Sequence, residues 1–178
     1  MVIQAVEIAK AVFDRNEAIL LRALEGLTVD ELQVQVGPDS NPIGWLMWHL
    51  SRVQDNHFSA MEDKEHAWVT EGWNEKFDRA DKPTSDRGRG HTTEEVADFR
   101  PPDVDTLIAY YRSVRAHSAA FLDGLTEADL NRPVPNLAGD GTQPMRERFE
   151  MSLMDTLQHS GQIAYLRGLI KGKGWLPS

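Results

Sequence analysis

Proline at residues 42 and 144 does most to limit what this chain can fold into. Each follows polar residues and opens a long stretch without another proline, up to Pro83 in one case and Pro177 in the other. Proline has no amide hydrogen and a fixed φ, so it suits the start of a helix and disrupts the interior. Asn41-Pro42 therefore predicts a helix from Pro42 to about Met61, with the Asn41 amide as cap. Pro144 predicts another to about Lys171. Two further long helices are expected. One runs from about Ile3 to Glu25 and stops at Gly26. The other is capped by Asp103 behind Pro101-Pro102, runs to Leu122 and stops at Gly124.

Between these helices the signals are shorter. Thr28-x-x-Glu31 and Thr92-x-x-Glu95 read as capping boxes of brief helical turns. Gly37-Pro38 ends the first. Residues 62–102 are polar and rich in Gly, Pro and charge, so they predict a long crossover over the surface with short helical pieces. Such a crossover would let the third long helix run parallel to the second. The stretch PVPNLAGDGTQ reads as a loop. The period-2 alternation of a half-buried strand is absent. The expectation is an all-α four-helix bundle in one domain over residues 1–178. LEGLTVDEL (24–32) and LDGLTEADL (122–130) repeat one pattern after a long helix, which suggests two helix–turn–helix halves.

Composition excludes several functions. Nineteen basic residues stand against 28 acidic ones, a net charge of −9. Binding to a nucleic-acid backbone needs clustered cations, and the short run Arg87-Gly88-Arg89-Gly90 is too small to supply them. Cysteine is absent, so disulfides, zinc–thiolate sites and a cysteine nucleophile are excluded. No apolar run of spanning length occurs, and Glu7, Lys10, Asp14 and Arg15 break up the N-terminal stretch. That predicts no membrane contact and a cytoplasmic location.

Helical projection gathers the chemistry. Pro42, Trp45, Leu46, Val53, Asn56 and Ala60 share a face with His49 on the second long helix. On the fourth, Met151, Ser152, His159, Gln162 and Leu166 share a face with Asp155, flanked by Ile163, Leu169 and Ile170. Leu153, Leu157 and Ala164 lie opposite, so this helix is either central or backed by a second subunit, a possible homodimer. The repeat would bring the helices of His49 and of Asp155 and His159 together. Two imidazoles and a carboxylate suit zinc, nickel or iron(II), and three protein ligands leave a position open. The same residues also suit a plainer arrangement, a hydrogen-bonded core histidine and an i,i+4 Asp155–His159 pair.

NPIGWLMWHL (41–50) and D-x-x-x-HSGQIAYLRGL (155–169) resemble the DinB/YfiT-like superfamily, over nearly the whole chain. The resemblance implies a four-helix bundle of up-down-down-up topology. It also implies a divalent metal held by a histidine of the second helix and an H-x-x-x-H pair of the fourth. Those positions correspond to His49, Asp155 and His159. Asp155 stands where most members have histidine. The mycothiol-dependent maleylpyruvate isomerase branch is similar in placing a carboxylate, a glutamate, there. By resemblance the protein would act on a small-molecule substrate as an S-transferase or isomerase using a low-molecular-weight thiol such as mycothiol or bacillithiol. A metal-dependent hydrolase, or a non-catalytic ligand-binding or dimerising bundle with a degenerate site, are the alternatives.

Other residues have weaker readings. Gln162 could orient a ligand or satisfy the core. Arg52 borders the His49 face and reads as a surface ion pair, the alternative being attraction of an anionic substrate. Trp45 and Trp48 read as core or rim, and Trp68 and Trp73 as a cover for the bundle mouth. Tyr110 or Tyr111 could offer a hydroxyl. His57, His66, His91 and His117 have no partner at ligand spacing.

Overall fold

The computed structural model describes residues 2–137 and 139–176, with the side chains of residues 2–5 and 127 left undescribed. Met1, Ala138, Pro177 and Ser178, all inside the expected 1–178 domain, lie outside the described residues. The four long helices are α1 (Val2–Leu24), α3 (Ile43–Glu62), α7 (Val104–Asp123) and α9 (Met145–Lys171). Short helices fill the connections: α2 (Val29–Leu32), α4 (Ala67–Thr70), α5 (Trp73–Lys76), α6 (Thr93–Asp98) and α8 (Glu127–Leu130). Pro42 and Pro144 both take the N-cap position, one residue before the helix proper. The capping boxes at Thr28 and Thr92 form as expected.

The contacts fix how the long helices run. Lys10 meets Asp123 and Glu17 meets Arg112, so α1 and α7 are antiparallel. Asn16 meets Ser160, and the Glu25 carbonyl just past α1 meets Arg167, so α1 and α9 are parallel. Asp55 meets Tyr110 and Phe58 meets Phe121, so α3 and α7 are parallel. His49 meets His159 and Asn56 meets Arg148, so α3 and α9 are antiparallel.

Helix α3 is the central element, with 17 of its 20 residues buried. Helix α9 is not central, because Met154, Leu157, Tyr165 and Leu169 lie exposed along its outer side. Its buried row holds Met145, Ile163 and Leu166 but also Arg148, Ser152, Thr156 and Ser160. Burying a Leu or Ile is worth about 1.5–3 kcal/mol, and a row with so many polar positions gains less of it. The buried row of α9 is thus one of the polar parts of the interior.

Three expectations are corrected. Residues 133–144 form a short hairpin rather than only a loop: β1 (Pro133–Pro135) pairs antiparallel with β2 (Thr142–Pro144). Three-residue strands are too short to show alternation, and Val134 is the residue that enters the core. The crossover does not merely lie over the surface. Trp68 and Trp73 join the main apolar core beside Phe77 and Tyr110, so they do not cover a mouth. Arg52 is wholly buried, not a surface ion pair.

The two copies of the repeated pattern fold alike but stop differently. Both α2 and α8 are four-residue turns with capping boxes, Thr28 with Glu31 and Thr126 with Asp129. Gly26 takes a positive φ of 69°, whereas Gly124 stays right-handed at −94°.

Candidate metal centre

His49, Asp155 and His159 meet where α3 crosses α9. The Oδ1 atom of Asp155 lies 3.4 Å from His159 Nε2 and 3.8 Å from His49 Nε2. The two imidazoles stand at 90° with centroids 4.7 Å apart. One ligand atom from each residue falls within 4.8 Å of the others, and among the described residues no other group of His, Asp or Glu does this. A tetrahedral ion with bonds of about 2.0–2.1 Å needs its donors about 3.4 Å apart. Both Asp155 distances are near that value. Asp155 Oδ2 is buried and has no hydrogen-bond partner. A donor set of this composition, with one carboxylate oxygen unspent, fits a divalent cation.

The far nitrogens of both rings are already committed. His159 Nδ1–H donates to Gln162 Oε1 at 2.8 Å. His49 Nδ1–H donates to the backbone carbonyl of Arg87 in a short hydrogen bond. These bonds hold each ring with its Nε2 facing Asp155, the orientation metal-binding histidines use. Gln162 is itself exposed, so its bond is to the ring and not to the core.

Electrostatics follow from the same contacts. Burial works to raise the Asp155 pKa, but hydrogen bonds and charge from His159 and His49 outweigh it and bring it to about 2. Burial works to lower the His159 pKa, and Asp155 with Gln162 outweighs that, so it rises. The site therefore carries a carboxylate at neutral pH.

One segment of the crossover holds His49 in place. Arg52 Nε and Nη2 donate to the carbonyls of Asp86 (3.1 Å) and Thr84 (2.5 Å). Gly88, at φ +86°, lies so close to the indoles that a Cβ would fall 2.4 Å from Trp45 Cζ2. Trp45 stacks on His49 with centroids 4.7 Å apart and planes 9° from parallel. Its Nε1–H donates to His91 Nδ1, so His91 carries its proton on Nε2 and donates to Asp86 Oδ1.

Sequence reasoning named all three clustered residues and the Gln162 contact. It missed the Arg87 carbonyl and His91. A backbone acceptor leaves no mark on residue type, but the Gly88 beside it is a usable sign of close approach. The expected face of α9 was rotated: Met151, Gln162 and Leu169 are exposed, and Asp155 and His159 sit at the border of the buried row. Neither Tyr110 nor Tyr111 offers its hydroxyl to the triad. Tyr110 donates to Asp55, and the buried Tyr111 hydroxyl has no partner.

Comparison with known proteins is consistent with this geometry. A sequence model described as the DinB superfamily matches residues 13–163. The crystal structure of a conserved protein from Enterococcus faecalis superposes with a TM-score of 0.82. It shares 28% identity, over 94% of this chain and 97% of that one. No curated protein matches the chain.

Proposed function

The chain belongs to the DinB superfamily, and from that premise we propose that His49, Asp155 and His159 bind one divalent metal ion in an enzyme that transfers or isomerises through a low-molecular-weight thiol. The observation that carries this reading is the shared Asp155 Oδ1 between two imidazole Nε2 atoms whose opposite nitrogens are both hydrogen-bonded away. When bound, the ion (zinc by preference, nickel or iron(II) as close matches) supplies Lewis acidity that lowers the pKa of a thiol or water beside it. The chain's own residues do the rest. Asp155 brings the negative charge that neutralises part of the cation. The Arg87 carbonyl and Gln162 keep the rings oriented. Burial of His49 limits the water around the site.

The thiol has to come from outside, since the chain has no cysteine. Aspartate is one methylene shorter than the glutamate of the isomerase branch, so an ion held by Asp155 would sit nearer α9 or be held more weakly. The same proposal includes a cytoplasmic location and a homodimer through the exposed apolar side of α9. No described helix is long and apolar enough to cross a membrane. Met154, Leu157, Tyr165 and Leu169 would be covered in such a dimer. Sedimentation at micromolar concentration tests it, with Tyr165→Glu expected to give monomer.

Zinc analysis after reconstitution tests the metal, with one ion per chain expected. Thiol consumption with a maleyl-type electrophile tests the chemistry. Turnover without added thiol points instead to hydrolysis, and metal binding without any turnover to a ligand-binding bundle. Absence of zinc, nickel and iron after reconstitution removes both metal-dependent readings and leaves the bundle with a degenerate site.

A further inference from the structure

The α3–α9 seam holds more unmet polar capacity than the triad uses. Arg148 lies seven residues before Asp155 on α9, two helical turns and about 10 Å along the axis, on the same face. It is 4% exposed. Its Nε donates to the Pro135 carbonyl at 2.7 Å and its Nη1 to the Asn56 carbonyl at 3.4 Å. Among the described residues no carboxylate lies within ion-pair distance of it, and its Nη2 has no hydrogen bond. A buried cation without an anion is costly, and folded proteins rarely leave one so. The molecule shows how it treats its other interior arginines: Arg52 is paired with Asp55, and Arg115 with Asp14.

Next to the Asn56 carbonyl in sequence is His57, 2% exposed, whose Nδ1 is buried and without a partner. Burial first, and then the charges of Arg148 and Arg87, bring its pKa down to about 3, which leaves a neutral ring able to donate one hydrogen bond. Ser152, between Arg148 and Asp155 on the same face, has a buried hydroxyl oxygen with no partner. Donors are thus gathered along one seam, with a fixed positive charge at one end and the triad at the other. Asp155, whose Oδ2 is itself buried and unpartnered, belongs to the triad, and among the described residues no carboxylate pairs with Arg148.

We propose that Arg148 and His57 form an anion subsite that takes the carboxylate of the substrate, leaving its reacting end at the triad. The substrate class is then an elongated organic acid. The proposal rests on the triad being the metal centre. Helix α9 carries Arg148 together with Asp155 and His159, so the distance between charge and triad is set by a rigid element. The bonds from Arg148 to the two carbonyls fix the guanidinium plane and leave Nη2 for the ligand, one arm of the fork geometry that suits carboxylates.

Succinate is the probe, titrated calorimetrically into zinc-reconstituted protein and into Arg148→Gln, Arg148→Lys and His57→Phe. Zinc content is measured on each sample. Expected are one zinc in every variant, at least tenfold weaker succinate binding in Arg148→Gln and His57→Phe, and partial recovery in Arg148→Lys. A purely structural Arg148 would lower thermal stability and leave succinate affinity alone. If Arg148→Gln fails to fold, His57→Phe decides. Equal affinity across the folded variants, or no succinate binding by the zinc-loaded wild type, overturns the subsite while a normal zinc content keeps the metal reading. Binding lost in the variants of a protein that takes up no zinc keeps the subsite and removes the metal reading.

Discussion

Two inward-facing aspartates serve opposite ends in this molecule. Asp55 is saturated. Its Oδ2 accepts from Arg52 Nη1 (3.2 Å), Tyr110 Oη (2.9 Å) and the Trp68 amide (2.9 Å), and its Oδ1 from the Ala67 amide (3.0 Å) and Ser59 Oγ (3.3 Å). Asp155 has two imidazoles near one oxygen and nothing on the other. Asp55 is buried and Asp155 half-buried, and both carboxylates stand beside cationic or cationisable groups. Charged neighbours therefore do not tell a structural acid from a ligating one. The remaining hydrogen-bond capacity does.

That contrast breaks most easily at Asp55. Removing one partner of a buried, fully bonded pair costs about 3–5 kcal/mol, so Asp55→Ala is expected to lose that much in urea unfolding. Zinc content of the folded fraction should be unchanged. A loss under about 1 kcal/mol would undo the comparison.

Asp155→Asn should cost less in the metal-free protein. The shift from 3.8 to about 2 corresponds to about 2 kcal/mol at pH 7. Because the folded pKa is depressed, this stabilisation is present above the unfolded value near 3.8 and disappears as pH falls through about 2. The variant should also lose any rise in melting temperature on adding zinc. Retaining that rise would make Asp155 another Asp55.

His57 sharpens the comparison through pH. Its folded pKa is about 3 against 6.5 unfolded, so below pH 6.5 the unfolded chain binds a proton that the folded chain refuses. Stability is then expected to fall by roughly 1 kcal/mol between pH 6.5 and 5.5 from this residue, the fall ending near pH 3. Urea titrations of the wild type and His57→Phe at the two pH values measure it, and equal slopes would contradict it.

The smallest effect on stability is expected at Gln162, which is exposed. Gln162→Ala should stay within about 0.5 kcal/mol while weakening zinc roughly 10- to 100-fold, as loss of an orienting partner does. Competition with a chelator of known affinity reads this directly.

The long helices and the three clustered residues were legible because proline, glycine and helical period act locally. Asp103 caps α7 through its bond to the Thr106 amide, as the sequence suggested. What was not legible depends on partners distant in the chain. Arg52 could be placed inside only by knowing that Asp55, Tyr110 and the carbonyls of Thr84 and Asp86 would surround it. Trp68 and Trp73 sit in polar sequence, so nothing local shows that they reach the core. The face of α9 was misjudged for a related reason. Serine and threonine fill much of its buried row, and a projection that looks for apolar residues turns towards the exposed methionines.

The indole of Trp45, lying flat on the His49 ring, has a consequence for optics. Its excited state is in van der Waals reach of a group whose electron demand changes when a cation sits on the opposite nitrogen. Titrating zinc should therefore alter the emission of this tryptophan, and Trp45→Phe should silence the response while the other four indoles go on emitting. The protein then carries its own unlabelled gauge of whether the site is filled.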